Sequence, residues 1–283
     1  MKYKDVVIQY PKAFEEKKKR IINAGSKNLH VLSDFDRTIT SGTTPEGKRT
    51  ETVISKLRSD PKYLGEEYLK KAHELFDIYH PIEISTEIPF EEKKAKMYEW
   101  WMRHFDLLVK YKFNKQVIKK VVEEKPLRFR KGALEFISLL YSKDIPLIFM
   151  SAAPGDLLIE YLKKNHLLTP NVHVISNRYE YDEKGNAVRI LEPIIHVLNK
   201  SEVSLKDFPL YEQIKNRKNI ILLGDDVSDA EMAEGFDYND IIRIGFLNEN
   251  IKERLNTFKD KFDVVILNDG NMDFVNDLNK EIK

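Results

Sequence analysis

Short apolar runs recur along the chain at residues 29–32, 145–150, 172–175, 219–223, 241–247 and 262–267. They are rich in Val, Ile and Leu, and they are continuous rather than alternating. A strand open to water on one face alternates polar with apolar positions. Continuous runs of this length therefore predict strands covered on both faces. Stretches with apolar residues at helical spacing lie between them, as at 157–162. Strand and helix in alternation predict βα units and an α/β fold with a doubly wound, mostly parallel sheet. Such a sheet gathers its functional groups at the carboxyl ends of the strands.

One interval breaks the alternation. Between the first two runs, residues 50–58, 66–77, 91–111 and 115–124 read as helix, with no convincing strand among them. Pro45, Pro61, Pro81 and Pro89 punctuate this segment. The pattern predicts a helical cap over 42–125, inserted into a core built from 1–41 and 126–283. A second irregularity lies at 179–193. There Asp182, Gly185 and Asn186 separate Tyr-Glu-Tyr from Val-Arg-Ile, which predicts a small hairpin. The basic run 17–20 reads as a solvated helix face.

Composition narrows the function classes. The 283 residues suffice for one large domain or two unequal ones. Lys and Arg number 47 against 46 Asp and Glu, a net charge of +1. A bulk polyanion binder is usually more basic, so neither nucleic acid nor anionic lipid is the expected partner. The chain has no cysteine, which excludes disulfides, thiolate zinc sites and Cys nucleophiles. No apolar run approaches the ~18 residues of a spanning helix. The N-terminal segment MKYKDVVIQYPKAFEEKKKR has no apolar signal core. The expectation is a soluble cytoplasmic protein with no membrane partner.

Four places carry candidate chemistry. In VLSDFDRTITSG, Asp34 and Asp36 follow an apolar strand, and Thr38 opens a polar turn. Extended backbone puts the two carboxylates on one side. They repel unless a cation or protons compensate, and Mg²⁺ with oxygen ligands is the usual answer. In IILLGDDVSDAEMA a second strand ends in Gly224, followed by Asp225, Asp226 and Asp229. In PLIFMSAAPGDLLIEYL a third strand delivers Ser151 and Ala152 to the opening of a helix, where a hydroxyl and free N–H groups form an anion site. In IIHVLNKSE, Lys200 offers a point positive charge to a transferring phosphoryl group. Turn and cap roles for Asp225, Asp229 and Ser151, and plain surface exposure for Lys200, are the competing readings of each motif alone.

The order D-x-D-x-T, strand-end Ser, Lys, then G-D-D…D resembles the haloacid dehalogenase superfamily of phosphohydrolases. HPIE, EEK…EWW, SAAPGD, VISNRYEYDEKGNAV, IHVLNK and LLGDDVSDAEMA are similar to the cytosolic 5′-nucleotidase III family, the pyrimidine 5′-nucleotidases. The similarity spans about residues 29–267. It implies Asp34 as nucleophile and Asp36 as general acid/base. It implies Asp34, the main-chain carbonyl of Asp36, and Asp225 as Mg²⁺ ligands. Ser151, Ala152 and Lys200 match phosphate-binding positions; in the implied mechanism Thr38 orients Asp36 or joins the phosphate hydrogen bonds, and Asp229 orients Lys200 or a metal-bound water. Glu83 matches a cap glutamate that contacts the nucleobase. The chain departs from the family at Ala153-Pro154 and at Asp226 and Ser228, without losing a reacting group.

Trp100 and Trp101 are adjacent on a helix and point about 100° apart, so one can pack while the other, taken as Trp101, stacks on a base. His104 stands where the family often carries a small Ser near the substrate, and by itself reads as a polar-rim residue. The implied activity is Mg²⁺-dependent hydrolysis of nucleoside 5′-monophosphates, CMP or UMP foremost. The alternatives are another small phosphate, such as 7-methyl-GMP or phosphoserine, with phosphotransfer as a side activity, and a catalytically dead binding module.

Overall fold

The apolar runs all become strands. The structure, a computed structural model, describes residues 3–85, 87–200 and 208–283. In chain order it comprises β1 (Val6–Ile8), α1 (Pro11–Ala24), β2 (Leu29–Ser33), α2 (Glu66–Ile84), α3 (Phe90–Lys110), α4 (Lys115–Glu124), α5 (Ala133–Ser142), β3 (Leu147–Pro154), α6 (Gly155–Lys164), β4 (Val172–Tyr181), β5 (Ala187–Leu191), α7 (Tyr211–Ile214), β6 (Asn219–Gly224), β7 (Asp240–Leu247), α8 (Ile251–Lys261), β8 (Val264–Leu267) and α9 (Asp273–Glu281). The sheet order is β1-β8-β7-β6-β2-β3-β4-β5. Only the two edges, β1 on β8 and β5 on β4, are antiparallel.

Both faces of the sheet are covered, which explains the continuous runs. Leu29 and Val31 of β2, with Ile221 and Leu223 of β6, pack into one core with Phe14, Phe136 and Leu158. Leu32, Ile220 and Leu222 pack into a second core with Ile214 and Phe258 on the opposite face. The parallel register aligns Ser33 with both Phe149 and Leu223. Asp34, Ser151 and Asp225 therefore leave the sheet at one edge.

Residues 42–125 contribute α2, α3 and α4 and, among the described residues, no strand of the sheet. The two linkers to this segment run side by side. Thr40 bridges to Phe129, Ser41 N–H donates to the Arg128 carbonyl at 2.8 Å, and Arg130 N–H donates to the Ile39 carbonyl at 2.9 Å. The hairpin expected at 179–193 forms from β4 and β5, with Gly185 at a φ of 80° in its turn. Its Gly185 carbonyl takes the first N–H of α4 at 3.0 Å.

Two expectations fail inside this segment. Residues 50–58 do not form an α-helix; only Ser55–Arg58 winds, as one 3₁₀ turn. Ahead of that turn, Thr52 N–H donates to Ser55 Oγ at 3.0 Å and Val53 N–H to Asp36 Oδ1 at 2.8 Å. Pro81 does not end its helix, because α2 continues through it to Ile84. The basic run 17–20 lies on α1, where Lys17, Lys18 and Arg20 pair with Asp263, Glu281 and Asp240.

Candidate active site

The end of β2 fixes Asp34 from both sides. Its N–H donates to the Leu223 carbonyl at 2.9 Å, and its own carbonyl accepts from Ser33 Oγ at 2.6 Å. The residue is 5 % exposed. Lys200 Nζ donates to Asp34 Oδ1 and, at 3.1 Å, to Asp229 Oδ1. Asp229 Oδ2 accepts from the N–H groups of Asp225 and Asp226 at 3.1 and 3.0 Å. Gly224 makes this possible: a Cβ there would stand 2.3 Å from Asp229 Cβ. Asp229 thus ties Lys200 to the loop that carries Asp225.

Ligand atoms of Asp34, Asp225 and Asp229 lie within 4.8 Å of one another. Three carboxylates face one ammonium. Burial works against the Lys200 charge, but Asp229 and Asp34 outweigh it and hold the amine protonated. Burial, then Asp34 and Asp229, pushes Asp225 well above the ordinary carboxylate range. Burial also raises Asp229, with Lys200 opposing and Asp34 adding. Asp34 Oδ2 is buried and without a hydrogen-bond partner among the described residues. Hard oxygen ligands, excess negative charge and an orphaned carboxylate oxygen fit a divalent cation.

Asp36 is not part of this triad. Its Oδ1 accepts the Val53 N–H, and burial followed by Asp34 pushes its carboxyl up to about 7. A carboxyl so placed can carry a proton near neutral pH. Thr38 is fully buried, and its hydroxyl has no partner among the described residues. Ser151 is buried, and its Oγ accepts the Ala153 N–H at 3.2 Å, which leaves its proton free to donate. The β3–β4 register slips between Ser151 and Pro154, where Ala152 sits.

Two supporting residues escaped the sequence reading. Asn177, fully buried on β4, donates to the carbonyls of Ala152 and Ile195 and accepts the Ile195 N–H, each at 2.8 Å. It joins the Ser151 strand end to the segment that leads to Lys200. Arg130, 2 % exposed, donates to the carbonyls of Arg37, Thr38 (2.8 Å) and Gly270 (2.6 Å) and pairs with Asp269 at 3.0 Å. Asp269 in turn accepts the Gly42 and Thr43 N–H groups at 2.7 and 3.1 Å. Both linkers to the 42–125 segment are thereby fixed to the sheet edge. An isolated Asn or Arg in the chain gives no signal for such roles.

The base-contact candidates lie in an aromatic cluster of α2 and α3. Trp100 packs on Tyr79 with centroids 5.9 Å apart, whereas Trp101 stacks on His104 at 6.3 Å and 7°. His104 is not a rim residue: it is 2 % exposed, and its Nε2 pairs with the Tyr68 hydroxyl at 3.0 Å. Burial, then Arg58, lowers it to about 3, so the ring is neutral at pH 7. Glu83, in the last turn of α2, sits 2.9 Å from His80 Nδ1. Trp101, Val197 and Leu198 all pack against the Tyr79–Met97–Trp100 cluster, which brings the cluster to the approach of Lys200.

A family model described as "Pyrimidine 5′-nucleotidase (UMPH-1)" matches residues 37–283. The chain belongs to the pyrimidine 5′-nucleotidase family. The match reaches the C-terminus, beyond residue 267 where the motifs end, and begins just after Asp36. The 7-methylguanosine phosphate-specific 5′-nucleotidase A of Xenopus laevis is 36% identical over 275 residues, covering 96% of this chain and 94% of that protein. A crystal structure of cytosolic 5′-nucleotidase IIIB bound to cytidine superposes with a TM-score of 0.92 at 28% identity, covering 99% and 94% of the two chains. A haloacid dehalogenase-family hydrolase of Salmonella enterica shares the fold, with a TM-score of 0.55 at 15% identity over 93% and 77% of the chains. The protein is thus a 5′-nucleotidase-family phosphohydrolase on a haloacid dehalogenase-type α/β fold.

Proposed function

We propose that the protein is a Mg²⁺-dependent 5′-nucleotidase that hydrolyses CMP-type and 7-methyl-GMP-type nucleoside monophosphates. The observation that carries this is the Asp34–Asp225–Asp229 triad at the sheet edge, with Lys200 bridging its two buried members, Asp34 and Asp229. The family's pyrimidine description and the 7-methylguanosine name of the Xenopus relative support the two base types. Residues 42–125 act as the cap, and 1–41 with 126–283 form the core. The cytosolic naming of the cytidine-bound neighbour supports a cytoplasmic setting.

Asp34 is the nucleophile. It attacks phosphorus in line, forming an O–P bond while the bond to the nucleoside 5′ oxygen breaks. Asp36 starts protonated and gives its proton to that oxygen. It then takes a proton from the water that cleaves the aspartyl-phosphate, which regenerates Asp34 and releases inorganic phosphate. Lys200, Ser151, the Ala152 N–H and Thr38 hold the phosphoryl oxygens as charge spreads over them. Asp34, Asp225 and the Asp36 carbonyl would hold Mg²⁺, which when bound neutralises charge between nucleophile and ester. Asp229 orients Lys200. Glu83 and Trp101 hold the base, with His104 backing the Trp101 ring, while the cap excludes bulk water.

Phosphate release from CMP, UMP, 7-methyl-GMP, AMP and phosphoserine, with Mg²⁺ and with chelator, tests this. Turnover of CMP or 7-methyl-GMP that stops on chelation is expected. Turnover of phosphoserine alone would overturn it.

A further inference from the structure

Arg58 has no role in the mechanism above, yet it stands where two arms of the aromatic cluster meet. It closes the turn Ser55–Arg58 and is half-buried. Among the described residues its guanidinium has no hydrogen bond and no ion pair, and it lies over the Phe76 ring at 5.0 Å. A guanidinium carries five donors, and enclosing it without acceptors is costly. One arm runs from Phe76 to His80, stacked at 4.5 Å, and on to Glu83 at 2.9 Å. The other runs through the Tyr68–His104 pair to Trp101. Glu83, Tyr68 and His104 all lie within electrostatic range of the Arg58 guanidinium.

We propose that Arg58 is a specificity residue that reads the nucleobase: its guanidinium donates to a base carbonyl while Glu83 accepts from a base amino group. The proposal rests on the nucleotidase reading and deepens it. Cytosine and guanine each present a carbonyl and an amino group. Adenine lacks the carbonyl, and uracil lacks the amino group. Arg is the side chain suited to paired base acceptors, and a carboxylate suits the cytosine amine. A guanine methylated at N7 carries a positive charge. That charge is favoured on the Trp101 face but repelled by Arg58. Arg58 therefore tilts the site toward neutral bases, against the pull of Glu83 and the aromatic rings on a cationic one.

The test compares kcat/KM for CMP, AMP, GMP, 7-methyl-GMP and base-free ribose 5-phosphate in the wild type, Arg58→Met and Arg58→Lys, with thermal melting to follow the fold. In Arg58→Met the CMP-to-AMP ratio is expected to fall roughly ten- to hundredfold, and the 7-methyl-GMP-to-GMP ratio to rise. Arg58→Lys keeps the charge but not the fork. It should return the second ratio toward wild type while the first stays low, and it carries the test alone if Arg58→Met does not fold. One common factor across all substrates, ribose 5-phosphate included, would show a structural role and overturn the proposal. Unmoved ratios with normal wild-type nucleotide turnover would remove Arg58 alone. A wild type that cleaves ribose 5-phosphate but no nucleotide would remove the nucleotidase reading together with it.

Discussion

Gly224→Ala places one methyl group under the Lys200–Asp229 pair. The new Cβ would stand 2.3 Å from Asp229 Cβ, 2.9 Å from its Cγ and 2.8 Å from its Oδ2. Carbons in contact settle about 3.5–4.0 Å apart, so the shortfall at Cβ is on the order of 1 Å. A Cβ cannot swing aside as a side-chain tip can, so the turn Val227–Glu231 must move with it. That movement strains the bonds of Asp229 to the Asp225 and Asp226 N–H groups and to Lys200. Overpacking costs about 1–3 kcal/mol, and a weakened bond to a charged acceptor about as much again. A loss of roughly 3 kcal/mol, at roughly 2–4 °C of Tm per kcal/mol, lowers Tm by roughly 6–12 °C. A misplacement near 1 Å at the site costs on the order of a hundredfold in turnover. Calorimetry and kcat on CMP measure both. Gly245→Ala is the control: it meets Phe262 and Phe258 ring carbons at 2.7–2.9 Å, so it should lower Tm with a much smaller effect on kcat. A Gly224→Ala protein with wild-type Tm and kcat would refute the packing argument. An equal loss of kcat in both variants would refute its link to the site.

His104 is buried and neutral, while the unfolded chain protonates near the ordinary histidine value of about 6.5. Below that pH the unfolded state binds a proton that the folded state refuses until about 3. His104 therefore removes stability as pH falls, by about 1.4 kcal/mol per unit once titration is under way. His104→Gln should flatten the decline in urea midpoint between pH 7 and 5 by the equivalent of roughly 2 kcal/mol, and parallel wild-type and variant slopes would contradict this. Asn177→Ala leaves buried Ala152 and Ile195 groups unpaired at about 1–3 kcal/mol each. Because those groups join the Ser151 and Lys200 segments, its inhibition constant for inorganic phosphate should rise on the order of tenfold. Wild-type inhibition in a folded Asn177→Ala protein would show that the bridge does not position the phosphate groups.

The strand ends were legible because burial on both sheet faces forces continuous apolar runs, and polar residues at their termini stand out. Asp34, Asp225 and Asp229 come together as those runs imply, and Lys200 joins them from a segment outside any strand, 166 residues from Asp34. Asp229 enters the carboxylate triad directly, and Asp36 does not, because the Val53 N–H holds its side chain elsewhere. Residues 50–58 misled because helical spacing does not show that only the last part winds, as the 3₁₀ turn Ser55–Arg58. β1 went unseen because three residues at a sheet edge carry too little pattern. His104 has the polarity of a surface residue, and the Tyr68 hydroxyl brought to it by α2, with the Trp101 ring stacked on it, explains its burial. Arg130 and Asn177 act on main-chain carbonyls, which every residue has, so no spacing marks their partners.

The most direct test of the chemistry is to quench the protein in acid within its first turnover of CMP carrying phosphorus label, then map the label by peptide mass spectrometry. The label is expected on the peptide containing Asp34, and it should vanish in Asp34→Asn and after chelation of divalent cations. Steady turnover with no labelled peptide, or turnover in Asp34→Asn at the wild-type rate, would contradict a phosphorylated Asp34.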